Sequence, residues 1–282
     1  MRGARLAAAL NLTKAVLLLA GLAAAAGGFG WLLGGYRLLL LFATSVVLAA
    51  AAVYWHGDRV VLGMTRAREV PLAEAPRVHS ALERLAARAG VVKPRLYLLD
   101  DGYPRAFAVG RGPAGSAIAV SRGLLSAAPP AELDGLLAHE LAHVRSHDVL
   151  VQTVAVVLAA TLIELSRIGG FLQRGLLFVL APIASAFVHA LLSPKREFAA
   201  DREAARLCES PHGLAAALLR LEQASELLTF RESPATEPLY PLNPFDEEDR
   251  VGALFATHPP LGERVRRLRA LDPDWRANLR AA

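Results

Sequence analysis

The chain has 282 residues, of which 54% are hydrophobic and only 20% charged, where an ordinary soluble domain carries roughly a quarter charged. That composition excludes global disorder and argues against a plainly soluble globule. The single cysteine, Cys208, excludes an internal disulfide and any cysteine-rich metal site, so metal chemistry would have to use histidine and carboxylate.

No charged residue occurs from Ala15 to Tyr36, or from Leu38 to Trp55. As helices rising 1.5 Å per residue these runs are about 33 and 27 Å long, which brackets a hydrocarbon core of about 30 Å. They predict an N-terminal transmembrane hairpin over 1–56, with spans at 15–36 and 38–55 and a turn around Gly34–Arg37. A cleaved signal peptide is the alternative for the first run, but a second full-length run follows at once.

Residues 57–148 read as the first half of a compact polar domain. Val78, Leu82, Leu85 and Ala89 recur at spacings of three and four and predict an amphipathic helix over 75–89. A strand follows at 95–99. The stretches 106–109 and 116–120 flank a Gly/Pro turn and predict a β-hairpin. Pro129 and Pro130 open a helix where a missing N–H costs nothing, and its pattern continues through Asp148.

Two weaker apolar stretches, 149–166 and 175–192, predict a second membrane or membrane-associated hairpin over 149–193. Gln152, Glu164 and His189 would need shelter there, because polar groups within a span are costly. Residues 194–282 form the second half, with helices at 195–208, 213–228 and 261–271 and an irregular Pro-rich stretch at 233–249. The fold class is therefore an α+β membrane protein, mostly helical with a small β-sheet and about four transmembrane helices.

The net charge of +5 is placed at membrane flanks. Arg2, Arg5 and Lys14 precede the first span, Arg59, Arg66 and Arg68 follow the second, and Lys195 and Arg196 follow the fourth, while the first turn carries only Arg37. Basic flanks face the cytoplasm, which puts both termini and both polar halves there. The partner so indicated is a lipid bilayer. No basic stripe interleaved with aromatics points to nucleic acid.

On the Pro129-initiated helix stands His139-Glu140-Leu141-Ala142-His143. Four residues advance a helix by about 400°, so both imidazoles lie on one face and can address one ion, while Glu140, about 100° round, can stand beside it as a base. A catalytic zinc takes three protein ligands. Glu197, His147 and His258 are the candidates for the third. Glu197 is favoured, because it shares a helix with Asp201 one turn on, so that one carboxylate can bind metal and the other hold a ligating histidine.

These residues resemble the HtpX family of membrane-integral zinc metalloproteases, of the gluzincin type. The matching stretches are Ala106-Phe107-Ala108-Val109-Gly110, Ala119 to Leu125, His139 to His143, Arg196 to Asp201, and Thr257-His258-Pro259-Pro260 with Glu263-Arg264. The resemblance implies a zincin-like catalytic domain in which His139, His143 and Glu197 bind one Zn2+ per chain, Glu140 is the general base and Asp201 supports a ligand. It also implies that the strand Ser116, Ala117, Ile118, Ala119 and Val120 pairs with an extended substrate. His258 and Arg264 are the candidates for stabilising the oxyanion. The implied role is proteolytic quality control of misfolded or damaged membrane proteins, as a stress response at the inner membrane of the cell. A CAAX-type prenyl-peptide protease and a non-catalytic zinc-containing membrane scaffold are the alternatives. Arg105 stands where the family usually has Asn.

Overall fold

The computed structural model describes residues 2–167, 181–186, 188–189, 191–227, 239, 258–272 and 274–275. Within them run helix α1 (Arg2–Met64), β1 (Arg68–Glu69), α2 (Pro76–Ala89), β2 (Arg95–Leu99), β3 (Ala106–Gly110) and β4 (Ser116–Ser121). Then come α3 (Arg122–Ala127), α4 (Pro130–Arg145), α5 (Asp148–Arg167), α6 (Pro194–Cys208), α7 (His212–Leu227) and α8 (Leu261–Arg269).

Helix α1 folds back on itself at Gly34 and Gly35. Gly35 has φ of 68°, a left-handed conformation that glycine adopts at little cost. Beyond it the second arm returns along the first. A Cβ on Gly30 would lie 2.4 Å from the carbonyl oxygen of Leu38, and the Phe29 and Phe42 rings meet edge to face with centroids 6.0 Å apart. Leu19–Met64 is long and apolar enough to cross a membrane, and the rest of the chain covers none of its most apolar window.

Among the described residues α1 alone meets that condition by itself. Helix α5, over the third expected span, is largely buried by protein: Val151, Ala155, Ala159 and Ile163 pack against Ala181, Ala184, Val188 and Leu191. Gln152 is buried, whereas Glu164 and His189 are exposed. Residues 175–180, 187 and 190 lie outside the described residues, as does 233–249 except Leu239.

The sheet has the order β1-β2-β4-β3, with β2 and β4 parallel and the other pairs antiparallel. Alternation along the strands splits the side chains between two covered faces. Leu96, Leu98, Ala106, Ala108, Ile118 and Val120 face α2 and α4. Phe107, Val109, Ala117 and Ala119 pack with Val61 and Leu62 of α1, with Val156 and Val157 of α5, and with Leu239. Both faces being covered, β3 and β4 are buried along their whole length.

This order corrects one expectation. Strand β4 has β2 on one side and β3 on the other, so the ladder main-chain groups of Ser116, Ala117, Ile118, Ala119 and Val120 are engaged within the sheet. They cannot add a substrate strand. Among the described residues the outer edge on that side belongs to β3.

Helix α4 is the centre of the domain, buried without interruption from Gly135 to Val144. Glycines bring α7 against it: a Cβ on Gly213 would lie 2.2 Å from the Ala131 carbonyl oxygen, and one on Gly135 2.5 Å from the Leu214 nitrogen. The helix also stops earlier than its sequence pattern suggests. It ends at Arg145, His147 takes φ of 61°, and α5 leaves at 90°. The Ser146 hydroxyl donates to Asp148 Oδ2 at 2.7 Å, and an acidic residue at the start of α5 suits the positive end of that helix.

Candidate metal centre

Helix α4 supplies His139, Glu140 and His143, and α6 supplies Glu197 and Asp201, all buried. The two imidazoles turn toward each other, with their Nε2 atoms 3.2 Å apart. Glu197 closes the triangle: its Oε2 is 3.4 Å from His139 Nε2 and its Oε1 3.5 Å from His143 Nε2. These three residues form a cluster whose candidate ligand atoms all lie within 4.8 Å of one another.

Neither rival third ligand belongs to this cluster. His147 sits in the turn after α4, its ring against Gly112. His258 lies beside the triangle, its Nδ1 3.4 Å from Glu197 Oε2. Both its ring nitrogens are buried without a hydrogen bond among the described residues.

The outward nitrogens of the histidines face carboxylates. His139 Nδ1 is 3.0 Å from Asp201 Oδ1, and His143 Nδ1 is 3.2 Å from Asp148 Oδ2. Asp201 is held by Arg264 of α8 through Nε at 2.9 Å and Nη2 at 2.7 Å. Arg264 is completely buried, and through this fork it supports Asp201. Arg105 is buried as well, paired with Asp101 at 2.5 Å, its backbone N–H donating to Ser121 Oγ at 2.9 Å.

The electrostatics follow from burial and neighbours. Burial opposes charge on Glu197, but His143 and His258 outweigh it and hold the carboxyl well below its usual range. Burial likewise opposes a charged His143, yet Glu197 and Asp148 prevail and the imidazole is held up at about 10. Glu140 goes the other way: burial raises it, although His139 and His143 and the donated N–H of Ala108 pull it back. A carboxyl raised in this way is suited to accept and return a proton.

The donor set fits a divalent cation. Glu197 Oε2 is a buried anionic oxygen that accepts no hydrogen bond among the described residues, and two imidazole nitrogens converge on the same point. Two nitrogens and one carboxylate, each histidine backed by a carboxylate, match a catalytic metal site with an open position for water.

Sequence reasoning missed Asp148 and the partnership of Arg264 with Asp201. Asp148 had one signal, a carboxylate five residues after His143. On a continuous helix that spacing points away from the histidine.

Residues 72–272 match the family model Peptidase family M48. The chain is 40% identical over 236 residues to a protease HtpX homolog of Pelotomaculum thermopropionicum, covering 77% of this chain and 84% of the relative. Protease HtpX homologs of Pyrococcus abyssi and Acidiphilium cryptum are 36% and 39% identical, covering 90% and 92% of this chain and 94% and 96% of theirs. A solved structure, the crystal structure of S. mikatae Ste24p, aligns with TM-score 0.45 and 18% identity over 93% of this chain; the chain spans 64% of that protein's length.

Proposed function

Because the chain belongs to peptidase family M48 and is a membrane-associated metalloprotease of the HtpX kind, we propose that it is a zinc endopeptidase working at the cytoplasmic face of the cell membrane. The observation that carries this is the convergence of His139, His143 and Glu197 within 4.8 Å, with buried Glu140 beside them. A single zinc ion held there would lower the pKa of water and polarise a substrate carbonyl. Glu140 takes the proton of the attacking water and returns it to the leaving amine. His258, whose Nδ1 lies 3.4 Å from Glu197 Oε2, is the candidate for favouring developing negative charge.

The substrate's main chain adds to β3. Ala108 N–H reaches Glu140 and Gly110 N–H donates to Thr153 Oγ1 at 3.1 Å, so the outward row of this edge is Ala106, Ala108 and Gly110. Thr153 closes the row at Gly110, and the part around Ala106 and Ala108 passes beside the general base. Pairing through main-chain bonds recognises an extended chain more than a sequence. That favours unfolded or damaged membrane proteins as substrates and a role in quality control.

The topology supports delivery from the bilayer. Val61 and Leu62, at the end of the second arm of α1, pack directly on the sheet, so the catalytic domain lies on the same side as the basic flank Arg59, Arg66 and Arg68. By the charge rule that side is cytoplasmic.

The test is Glu140→Gln in detergent-solubilised protein. It should keep stoichiometric zinc and lose about 10²–10⁴ in kcat on casein or an unfolded membrane protein, the range for a general base. Wild-type cleavage by a zinc-loaded Glu140→Gln protein would refute the assignment.

A further inference from the structure

We infer that Asp148 is a positioning residue for His143, so that each metal-binding histidine is oriented by a carboxylate of its own; this rests on the ligand set proposed above. Asp201 serves His139, and Asp148 serves His143 from the other side of the cluster.

His143 Nδ1 lies 3.2 Å from Asp148 Oδ2, while Nε2 of the same ring faces His139 Nε2 at 3.2 Å and Glu197 Oε1 at 3.5 Å. A proton held on Nδ1 by the carboxylate leaves the Nε2 lone pair for the metal and fixes the ring plane. Asp148 is itself fixed. It is 5% exposed, it accepts from Ser146 Oγ at 2.7 Å, and Arg196 Nη1 stands 4.0 Å from its other oxygen.

The break between α4 and α5 is what makes this contact. In an uninterrupted helix a residue five positions on lies about 140° round the axis and one and a half turns away, too far to meet the His143 ring. The left-handed His147 and the 90° bend bring Asp148 back to it. Asp148 is also the first residue of α5, whose apolar side chains pack on the sheet and on Ala181, Ala184, Val188 and Leu191. The apolar helix therefore holds the orientation of one metal ligand.

The experiment compares zinc affinity, by chelator competition, in full-length wild type, Asp148→Ala, Asp148→Asn, Ser146→Ala and His143→Ala, with the visible spectrum of the cobalt-substituted proteins as a second readout. Asp148→Ala should weaken zinc by about 10–100-fold, the range for losing such a support, and shift the cobalt bands. Asp148→Asn, which keeps an acceptor without the charge, should recover part of both. Ser146→Ala should show a smaller loss in the same direction, and together with Asp148→Asn it carries the test if Asp148→Ala does not fold. Wild-type affinity and spectrum in the folded Asp148 variants, with His143→Ala impaired, would overturn this inference alone. Wild-type zinc binding by His143→Ala would overturn the ligand assignment and this inference with it.

Discussion

Arg264 grips Asp201 with two parallel bonds, Nε to Oδ2 at 2.9 Å and Nη2 to Oδ1 at 2.7 Å, and the gripped carboxylate stands 3.0 Å from His139 Nδ1. A line of contacts thus runs from α8 through α6 to a metal ligand on α4. Burial would raise the Asp201 carboxyl, but Arg264 and His139 outweigh it and hold it at about 2. The fork is a geometric device that an ammonium cannot reproduce.

Arg264→Lys should therefore keep the charge yet lower zinc affinity by about tenfold, the low end for disturbing a ligand's support. Arg264→Met strands a buried carboxylate and should destabilise the metal-free protein by about 3–5 kcal/mol, read from its denaturant midpoint. If Arg264 instead faced the oxyanion, Arg264→Lys would lower kcat at saturating zinc and leave zinc affinity untouched.

Strand β3 offers a second test, because its outward main-chain groups and its inward ones have different jobs. Ala108→Pro removes the N–H that reaches Glu140 and no bond of the β3–β4 ladder, because that N–H points away from β4. It should leave a folded, metal-binding protein whose kcat/KM falls at least about tenfold, since a donated bond to a charged group contributes about 1.5–3 kcal/mol. Ala117→Pro, in the enclosed strand β4, should not fold, as monitored by circular dichroism. A soluble, active Ala117→Pro would mean that β4 has a free edge after all.

The contact between α4 and α7 is set by two glycines. An alanine at Gly213 would push its Cβ against the Ala131 carbonyl oxygen, 2.2 Å away. The helices must then separate, at a cost of about 1–3 kcal/mol for an overpacked core. Because α4 carries three site residues, zinc affinity should fall with stability. Gly262→Ala is the matched control: nothing lies within 4 Å of its Cβ position, and gaining helix propensity there should be neutral or stabilising by up to about 1 kcal/mol. Equal thermal midpoints for the two variants would show that the close approach is not a constraint.

How much of this is legible in the chain depends on sequence distance. His139, Glu140 and His143 are legible because four residues on one helix fix their relative angle whatever surrounds them. The β3–β4 hairpin is legible for the same reason, through the glycine-rich turn. What local pattern cannot record is that β2, about twenty residues upstream, inserts parallel to β4 with Leu96 opposite Ile118; that pairing takes the edge away from β4 and leaves it to β3. Arg264 and Asp201 are 63 residues apart, and nothing in either neighbourhood names the other. Asp148 was hidden by a turn without glycine: a left-handed His147 is not a residue that announces a helix break, and the helical pattern reads through it.

Proton linkage gives the last test, with two signs to distinguish. In the metal-free protein His143 is held up at about 10 and His139 is raised as well, burial opposing charge on both rings but the neighbouring carboxylates prevailing. A group whose pKa is raised on folding stabilises fully below its unfolded value, near 6.5 for histidine, and that contribution is lost as pH rises toward the folded value. The metal-free protein should accordingly lose stability between about pH 6.5 and 10 on account of these rings. Metal binding has the opposite slope, because both rings must be neutral to ligate. Zinc affinity should rise across the same window, with about one to two protons released per ion near pH 7.5. Titration calorimetry in two buffers of different ionisation enthalpy measures that number directly. Binding with no proton release near pH 7.5 would show that the rings are already neutral before the ion arrives, and that the carboxylates of Glu197 and Asp148 do not hold protons on His143.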